Sequence, residues 1–285
     1  MRLIAIFCSL LALVAQPAAA ATFPSLQSLE QQIASMVAGK PGEFGIAALD
    51  MRTGELVSIN GDQPFPMAST VKVAVAAAYL AQVDAGRRSL TDMIGGRSAA
   101  EVMELMITRS NNAATDQILR NLGGPATVQE WINFHRLANI RIDRTIAQLL
   151  ADKRDLRDIR DSSTPKAMID LLRTIDRGNV LKPESRSYLL ALMARCTTGS
   201  NRIRGLLPPG TPVENKTGTL NGLTDDVGFI TLPDGNRIAI AIFGRFGTNR
   251  PRTIAETARA IYDGFTSALS APFIAAFSAP YASPR

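Results

Sequence analysis

Histidine, cysteine and tryptophan are scarce in this chain: its 285 residues include one His, two Cys and one Trp. The single histidine, His135, lies near Trp131 on a segment with amphipathic helical spacing, which is typical of a structural residue. This scarcity argues against a Ser-His-Asp triad and against a zinc site built from histidines. We therefore expect no metal and no cofactor.

The chain also has no apolar run long enough to span a bilayer. Residues 1–20 combine a charged start at Arg2, an apolar stretch at Leu3–Val14 and small residues at Ala18–Ala20, which predicts a removable signal peptide. Cys8 lacks the usual context of a lipoprotein cysteine. After cleavage Cys196 remains alone, so no internal disulfide can form. We expect a periplasmic or secreted monomer with no stable membrane anchor.

The sequence lacks long runs of like charge. It has 31 basic and 25 acidic residues, and its net charge is +6. Basic and acidic residues alternate, as in Lys153–Asp158, which is the pattern of a solvated loop. We therefore expect no nucleic-acid partner. A mild positive field would instead favour a substrate that carries a carboxylate.

Hydrophobic spacing places strands at both ends of the chain and helices between them. The predicted strands are Phe44–Leu49, Leu56–Ile59, Asp226–Leu232 and Arg237–Gly244, with helices at Leu26–Ala38, residues 69–172 and Arg252–Leu269. This pattern predicts an α+β fold, in which an antiparallel sheet built from both chain ends with flanking helices carries an inserted all-helical lobe. The expected parts are a catalytic domain at residues 21–269, with a sheet lobe at 21–66 and 210–269 and a helical lobe at 67–209, and a poorly ordered tail at 270–285.

Three short motifs occur in an order that indicates acyl transfer through a covalent serine intermediate. They are Ser69-Thr70-Val71-Lys72, Ser110-Asn111-Asn112 and Lys216-Thr217-Gly218. Ser69 and Lys72 lie one helical turn apart, before a run without charge, proline or glycine. Burial would push Lys72 toward its neutral amine, which can accept the hydroxyl proton of Ser69.

With these motifs in place, the chain resembles class A β-lactamases and their penicillin-binding relatives, from about Ser28 to the last helix. Further stretches that carry the resemblance are Phe65–Thr70, Leu105–Ala113, Asn121–Pro125, Arg141–Arg144, Ser163–Pro165, Thr197–Gly199 and Asn215–Thr219.

The resemblance implies a role for each motif residue. Ser69 would be the nucleophile, Lys72 its proton partner, and Ser110 the group that passes a proton to the leaving nitrogen. Asn112 would hold the amide side chain of the substrate. Asn111 stands where the family more often has Asp, a residue whose side chain points away from substrate in relatives.

On the other side of the cleft, the resemblance implies that Lys216 and Thr217 bind the substrate carboxylate, assisted by Arg202. Gly218 would lie on an edge strand and let the substrate backbone approach. The backbone N–H groups of Ser69 and Thr219 would form an oxyanion hole.

One departure from the family concerns removal of the acyl group. The water-activating glutamate aligns with Ile146, and the asparagine that helps hold the water aligns with Leu150. Arg144 and Asp161 still match the ion pair that closes the neck of this loop, and Asp152 or Asp155 could fold back as a substitute base. A second departure is the short segment Asp84–Arg97, which lacks the loop with an aromatic gate and predicts a more open site.

Three hypotheses follow. The first is an exported serine hydrolase acylated at Ser69 by β-lactam-type amides, with slow hydrolysis of the acyl-enzyme. The second is a peptidoglycan peptidase that acts on D-alanyl-D-alanine ends of stem peptides, and the third is a non-catalytic penicillin-binding module. Loss of the glutamate favours the second hypothesis, and the overall pattern favours the first.

Overall fold

The computed structural model describes residues 24–153 and 155–270. The predicted signal peptide lies outside these residues, and so does the predicted tail except for Ser270. The α-helices are α1 Pro24–Ala38, α2 Lys72–Asp84, α3 Ala99–Thr108, α4 Asn112–Leu122, α5 Pro125–Phe134, α6 Ile146–Ala151, α7 Pro165–Asp176, α8 Pro183–Ala194 and α9 Arg250–Ser270. The strands are β1 Glu43–Asp50, β2 Leu56–Ile59, β3 Phe65–Pro66, β4 Met93–Ile94, β5 Arg97–Ser98, β6 Ser162–Ser163, β7 Val213–Leu220, β8 Leu223–Thr231 and β9 Arg237–Arg245.

Five strands from the two ends of the chain form one antiparallel sheet, in the order β2-β1-β9-β8-β7. This arrangement confirms the predicted fold class. The β8–β9 connection turns at Gly235, whose φ of 82° is readily adopted only by residues such as glycine. Strand β7, which carries Lys216-Thr217-Gly218, lies at an edge, as predicted.

Alternate residues of the central strands pack on opposite faces of the sheet. In β9, Ala239, Ala241 and Phe243 join the core shared with α2–α5, α7 and α8. Their neighbours Ile238, Ile240 and Ile242 join the core shared with α1 and α9. Because side chains in a strand alternate with a period of two, one strand can supply both cores.

Helix α2 lies in the middle of the larger core. Every residue from Lys72 to Leu80 is buried, which explains the uncharged run in the sequence. The α-helix begins at Lys72, three residues later than predicted, because Ala68–Val71 forms a 3₁₀ helix. The predicted helical tract is also interrupted by the short strands β4, β5 and β6. Within the described residues, no helix is both long and apolar enough to cross a bilayer.

Candidate active site

Ser69 lies in the 3₁₀ helix that leads into α2. Its side chain is partly exposed, whereas Thr70 and Lys72 are buried. The preceding Ala68 has a φ of 45°, an uncommon conformation for a residue other than glycine. The Thr70 hydroxyl donates to the Met67 carbonyl across 2.7 Å and so closes this turn from within. The chain is thus bent where Ser69 meets solvent.

Lys72 is fully buried but has three oxygen partners. Its Nζ donates to the Ser110 carbonyl oxygen at 2.7 Å and to Asn112 Oδ1 at 2.8 Å, and lies 3.2 Å from Ser110 Oγ. Burial, followed by the positive charge of Lys216, lowers the pKa of Lys72 to about 7. A substantial fraction of this amine is therefore neutral near neutral pH, as the sequence argument requires.

Ser110 connects α3 to α4 with a φ of 54°. This turn directs its partly exposed hydroxyl toward two lysines, because Lys216 Nζ donates to the same oxygen across 2.9 Å. Lys216 Nζ also donates to the Thr217 carbonyl at 2.9 Å, and burial lowers the pKa of Lys216 to about 8. Asn111 accepts from Ala114 N and caps α4, so this side chain serves the helix.

The edge strand β7 passes close to the Ser69 turn at Gly218. A β-carbon at this position would lie 2.7 Å from the Met67 carbonyl oxygen and 2.9 Å from Asp225 Oδ2. Both distances are too short for any side chain, so the approach of strand and turn requires glycine. Thr219, the next residue, is exposed toward solvent.

Arg202, which the resemblance pairs with the substrate carboxylate, lies against the same strand. Its Nη1 donates to the carbonyl oxygens of Gly218 and Asp225, each at 2.8 Å, and its Nη2 donates to Thr219 Oγ1 at 2.7 Å. Thr198 lies in the Thr197–Gly199 stretch that carries the resemblance but was given no role there, and it shares a 2.5 Å hydrogen bond with Thr217 through their hydroxyls. This contact places Thr198 against the edge strand.

The loop between residues 141 and 161 is closed by Arg144 and Asp161. Arg144 Nε lies 2.6 Å from Asp161 Oδ2, and Asp161 Oδ1 accepts from the backbone N–H groups of Asp143 and Arg144. Both charged side chains are largely buried. The two residues that the sequence analysis paired therefore meet directly at the neck of the loop.

Helix α6 carries Ile146 and Leu150, the two residues that align with the glutamate and the asparagine of the family. Ile146 is buried and Leu150 is 48% exposed. Asp152 Oδ2 is bound to Arg144 Nη1 at 2.6 Å, and Asp155 is exposed and accepts from Arg157 N. The hydrogen bonds of these two aspartates are thus to loop partners.

Asp116 is a further residue that the sequence motifs do not include. Its carboxylate is buried and accepts hydrogen bonds from Ile146 N at 2.7 Å and Ala147 N at 3.0 Å. It follows Asn112 by four residues on α4, and this spacing was a signal that could have found it.

His135 lies at the end of α5 and packs its ring against Trp131 and Phe134, with ring centroids 4.8 and 5.1 Å apart. Among residues 24–153 and 155–270, no group of three His, Cys, Asp or Glu side chains is arranged to hold a metal ion.

The model of the beta-lactamase enzyme family matches residues 28–265, which is most of the sequence. The chain belongs to this family. The resemblance read from the motifs is thereby confirmed.

Individual relatives agree. Extended-spectrum beta-lactamase PER-1 of Pseudomonas aeruginosa is 29% identical over 276 residues, covering 85% of this chain and 89% of the relative. Beta-lactamase VEB-1 of the same organism is also 29% identical, over 246 residues that make up 76% of this chain and 82% of the relative.

Solved structures show the same fold. A variant of the last common ancestor of Gram-negative bacteria beta-lactamase class A superposes with a TM-score of 0.80 at 33% identity, covering 85% of this chain and 99% of that one. The TLA-1 extended-spectrum beta-lactamase superposes with a TM-score of 0.79 at 27% identity and the same coverage.

Proposed function

We propose that this protein is an exported serine hydrolase that is acylated at Ser69 by β-lactam amides and releases the acyl group slowly. The observation that carries the proposal is the shared hydroxyl of Ser110, which lies within 3.2 Å of Lys72 Nζ and 2.9 Å of Lys216 Nζ. This arrangement joins Lys72, three residues after Ser69, to a hydroxyl that can pass on a proton. Membership in the beta-lactamase enzyme family supports the substrate class.

In the proposed first step, neutral Lys72 accepts the proton of Ser69 Oγ while this oxygen bonds to the carbonyl carbon of the lactam. The developing oxyanion is stabilised by the backbone N–H groups of Ser69 and Thr219, where loss of one donor typically costs about 3–4 kcal/mol. The C–N bond then breaks, and Ser110 passes a proton to the leaving nitrogen. Lys216 holds Ser110 and contributes the positive charge that attracts the substrate carboxylate.

Substrate orientation would come from both sides of the cleft. Asn112 is exposed on α4 and is placed to bind the amide side chain of the substrate. Thr217 and Thr219 lie on the edge strand, where Gly218 permits close approach, and Arg202 holds Thr219 through a 2.7 Å hydrogen bond. Arg202 therefore assists carboxylate binding through Thr219.

Hydrolysis of the acyl-enzyme requires an activated water. Ile146 cannot activate one, since its side chain has no proton acceptor, and Asp152 is already bound to Arg144. We therefore propose a long-lived acyl-enzyme. This property favours a second candidate, a peptidase that transfers or cleaves D-alanyl-D-alanine ends with the same acylation groups.

The test combines a fluorescent penicillin with intact-mass measurement. Wild-type protein should gain one adduct, equal in mass to the drug, and Ser69→Ala should gain none. An adduct on the Ser69→Ala variant would assign the nucleophile to another residue. Because the change removes little packing, the free energy of unfolding should move by less than about 1 kcal/mol.

A chromogenic β-lactam then separates the candidates. Sustained turnover supports a β-lactamase, and a stoichiometric burst supports a peptidase or a module that only traps its ligand. Release of D-alanine from a stem peptide identifies the peptidase. Absence of any adduct contradicts all three. The proposed export and monomeric state are tested by fractionation of cells and by sedimentation of the purified protein.

A further inference from the structure

Asp116 is a buried carboxylate between α4 and α6, and it is 6% exposed. Each of its oxygens accepts one hydrogen bond from a backbone amide of α6: Oδ1 from Ile146 N and Oδ2 from Ala147 N. Two N–H donors suit an ionised carboxylate, which can only accept. Since both donors are backbone amides, these bonds bring no cationic side chain to the carboxylate.

The same carboxylate lies on the face of α4 that covers Lys72. Asn112, four residues before Asp116, accepts from Lys72 Nζ at 2.8 Å, and residues four apart on a helix are neighbours on one face. The negative charge of Asp116 accordingly raises the pKa of Lys72, against the larger lowering effects of burial and Lys216.

Few charged groups face Lys72. Strand β7 contributes Lys216, and α4 contributes Asp116. The first turn of α6, Ile146–Gln148, brings only uncharged side chains. Burial has the largest effect on the pKa of Lys72, and Lys216 and Asp116 are the two charged groups that add to it with opposite signs.

We propose that Asp116 is a positioning residue for Lys72: its carboxylate balances the ammonium form of Lys72 and ties the first turn of α6 to the same face of α4. The inference rests on the proposed acylation of Ser69. In that step Lys72 takes the proton of Ser69 Oγ and becomes positively charged. Asp116 stabilises this charged state, so Lys72 is a stronger base with Asp116 present than without it.

The test compares Asp116→Asn with wild type over a range of about pH 5 to about pH 9. Acylation by a penicillin is measured by stopped flow at each pH. We expect the acidic limb of the rate profile to move by about one pH unit toward lower pH, because an opposite charge is removed from Lys72. We also expect a lower maximal rate, since the remaining amine is a weaker base.

A merely structural role gives a different result. If Asp116 only holds α6 in place, the variant will lose rate equally at every pH and the limb will stay where it is, which overturns the proposal. Asp116→Glu, which restores a carboxylate, should return the limb toward its wild-type position. Asp170→Asn removes an exposed carboxylate that pairs with Arg173 on α7, and it should leave the profile unchanged.

A second measurement needs no substrate and separates this inference from the proposed function. The ¹³C signal of the Lys72 ε-carbon, assigned with Lys72→Arg, reports its titration in the free protein. In Asp116→Asn the midpoint should be lower, whether or not penicillin reacts. An unchanged midpoint overturns the inference, whereas a failure of wild type to acylate counts against the proposed function only.

Folding of the variant is not essential to the test. In wild-type protein, the side-chain carboxyl ¹³C signal of Asp116 should respond as Lys72 titrates, at a pH of about 7. A carboxyl signal that stays constant through that titration contradicts the proposed coupling.

Discussion

Lys216 Nζ donates to Ser110 Oγ across 2.9 Å, and the same oxygen lies 3.2 Å from Lys72 Nζ. One hydroxyl is thus shared by two buried lysines. The positive charge of Lys216 also helps lower the pKa of Lys72. This relationship assigns different tasks to chemically identical side chains, and it underlies the first two predictions.

The rate of acylation should show a bell-shaped dependence on pH. In the proposed acylation step Lys72 is neutral when it accepts a proton, so the rate should rise as pH increases through its pKa of about 7. In the same proposal Lys216 is charged when it attracts the substrate carboxylate, so the rate should fall above its pKa of about 8. Stopped-flow measurement of kcat/KM, or of the acylation rate constant, gives both limbs. A profile that stays flat between these values would show that neither lysine is titrating in the reaction.

Ser110→Ala should slow acylation by about 10²-fold or more, because the leaving nitrogen loses its proton donor. The strained turn is kept, since serine and alanine face the same restriction at a φ of 54°. Asn111→Asp is the matched control: an aspartate can also cap α4, so acylation should be nearly unchanged. Equal acylation rates in Ser110→Ala and wild type would show that Ser110 does not transfer the proton.

Arg144→Ala should lower the free energy of unfolding by about 3 kcal/mol, because it leaves the buried Asp161 carboxylate without its charged partner. Arg141→Ala breaks an ion pair with Asp143 that is exposed to solvent, and it should cost less than about 1 kcal/mol. Urea unfolding of both variants measures the difference. Similar losses in the two would show that the Arg144–Asp161 pair does not close the loop.

Asp225→Asn should raise stability at pH 7. Asp225 is fully buried, its Oδ2 has no hydrogen-bond partner, and burial raises its pKa well above the usual value. Because the folded state holds the proton more tightly than the unfolded state, stability from this group is lost as pH rises above the unfolded pKa. An uncharged amide removes this loss.

The neighbouring Asp226 provides the contrast for this measurement. Its carboxylate accepts from Asn215 Nδ2 at 2.8 Å and from Ile203 N at 3.2 Å. An amide in its place would face one of these donors with a donor of its own, so Asp226→Asn should destabilise the protein. Unfolding midpoints of the Asp225→Asn and Asp226→Asn variants are measured at pH 5 and pH 8. A loss of stability at both pH values in Asp225→Asn would contradict the prediction that this change stabilises the protein.

Replacement of Ile146 and Leu150, the two α6 residues that differ from the family, tests whether they cause the proposed slow release of the acyl group. Ile146→Glu with Leu150→Asn should accelerate decay of the penicilloyl adduct, since a general base typically contributes about 10²–10⁴-fold. Burial and the nearby Asp116 would raise the pKa of the new carboxylate, and Lys72 in its charged form would lower it. Mass spectrometry follows the adduct over time in wild type and variant.

Leu150→Asn alone is the control for this repair. Leu150 is 48% exposed, so we expect the single change to leave decay unaffected and most of the gain to come from Ile146→Glu. Equal decay in the wild type and in a double variant that folds and is acylated would mean that α6 does not present residue 146 to the acyl group.

Much of the fold could be predicted because it is encoded in local spacing. Arg237–Gly244 is a short apolar run that follows the Pro233-Asp234-Gly235 turn signal, which favours a buried strand, and the longer uncharged run after Ser69 favours a buried helix. The helix start was less accurate, because three consecutive residues in a helical conformation do not reveal whether the turn is 3₁₀ or α. The structure begins α2 at Lys72.

The family and the three motifs could be recognised from the sequence, because a serine-lysine turn and a Lys-Thr-Gly strand each consist of neighbouring residues. The contacts of these motifs with distant residues became visible only in the folded chain. Asp116 reaches α6 across 30 residues, Thr198 reaches Thr217 across 19, and Arg202 reaches Asp225 across 23. Such contacts depend on the relative placement of whole elements, which packing of the two cores decides and which no local pattern records.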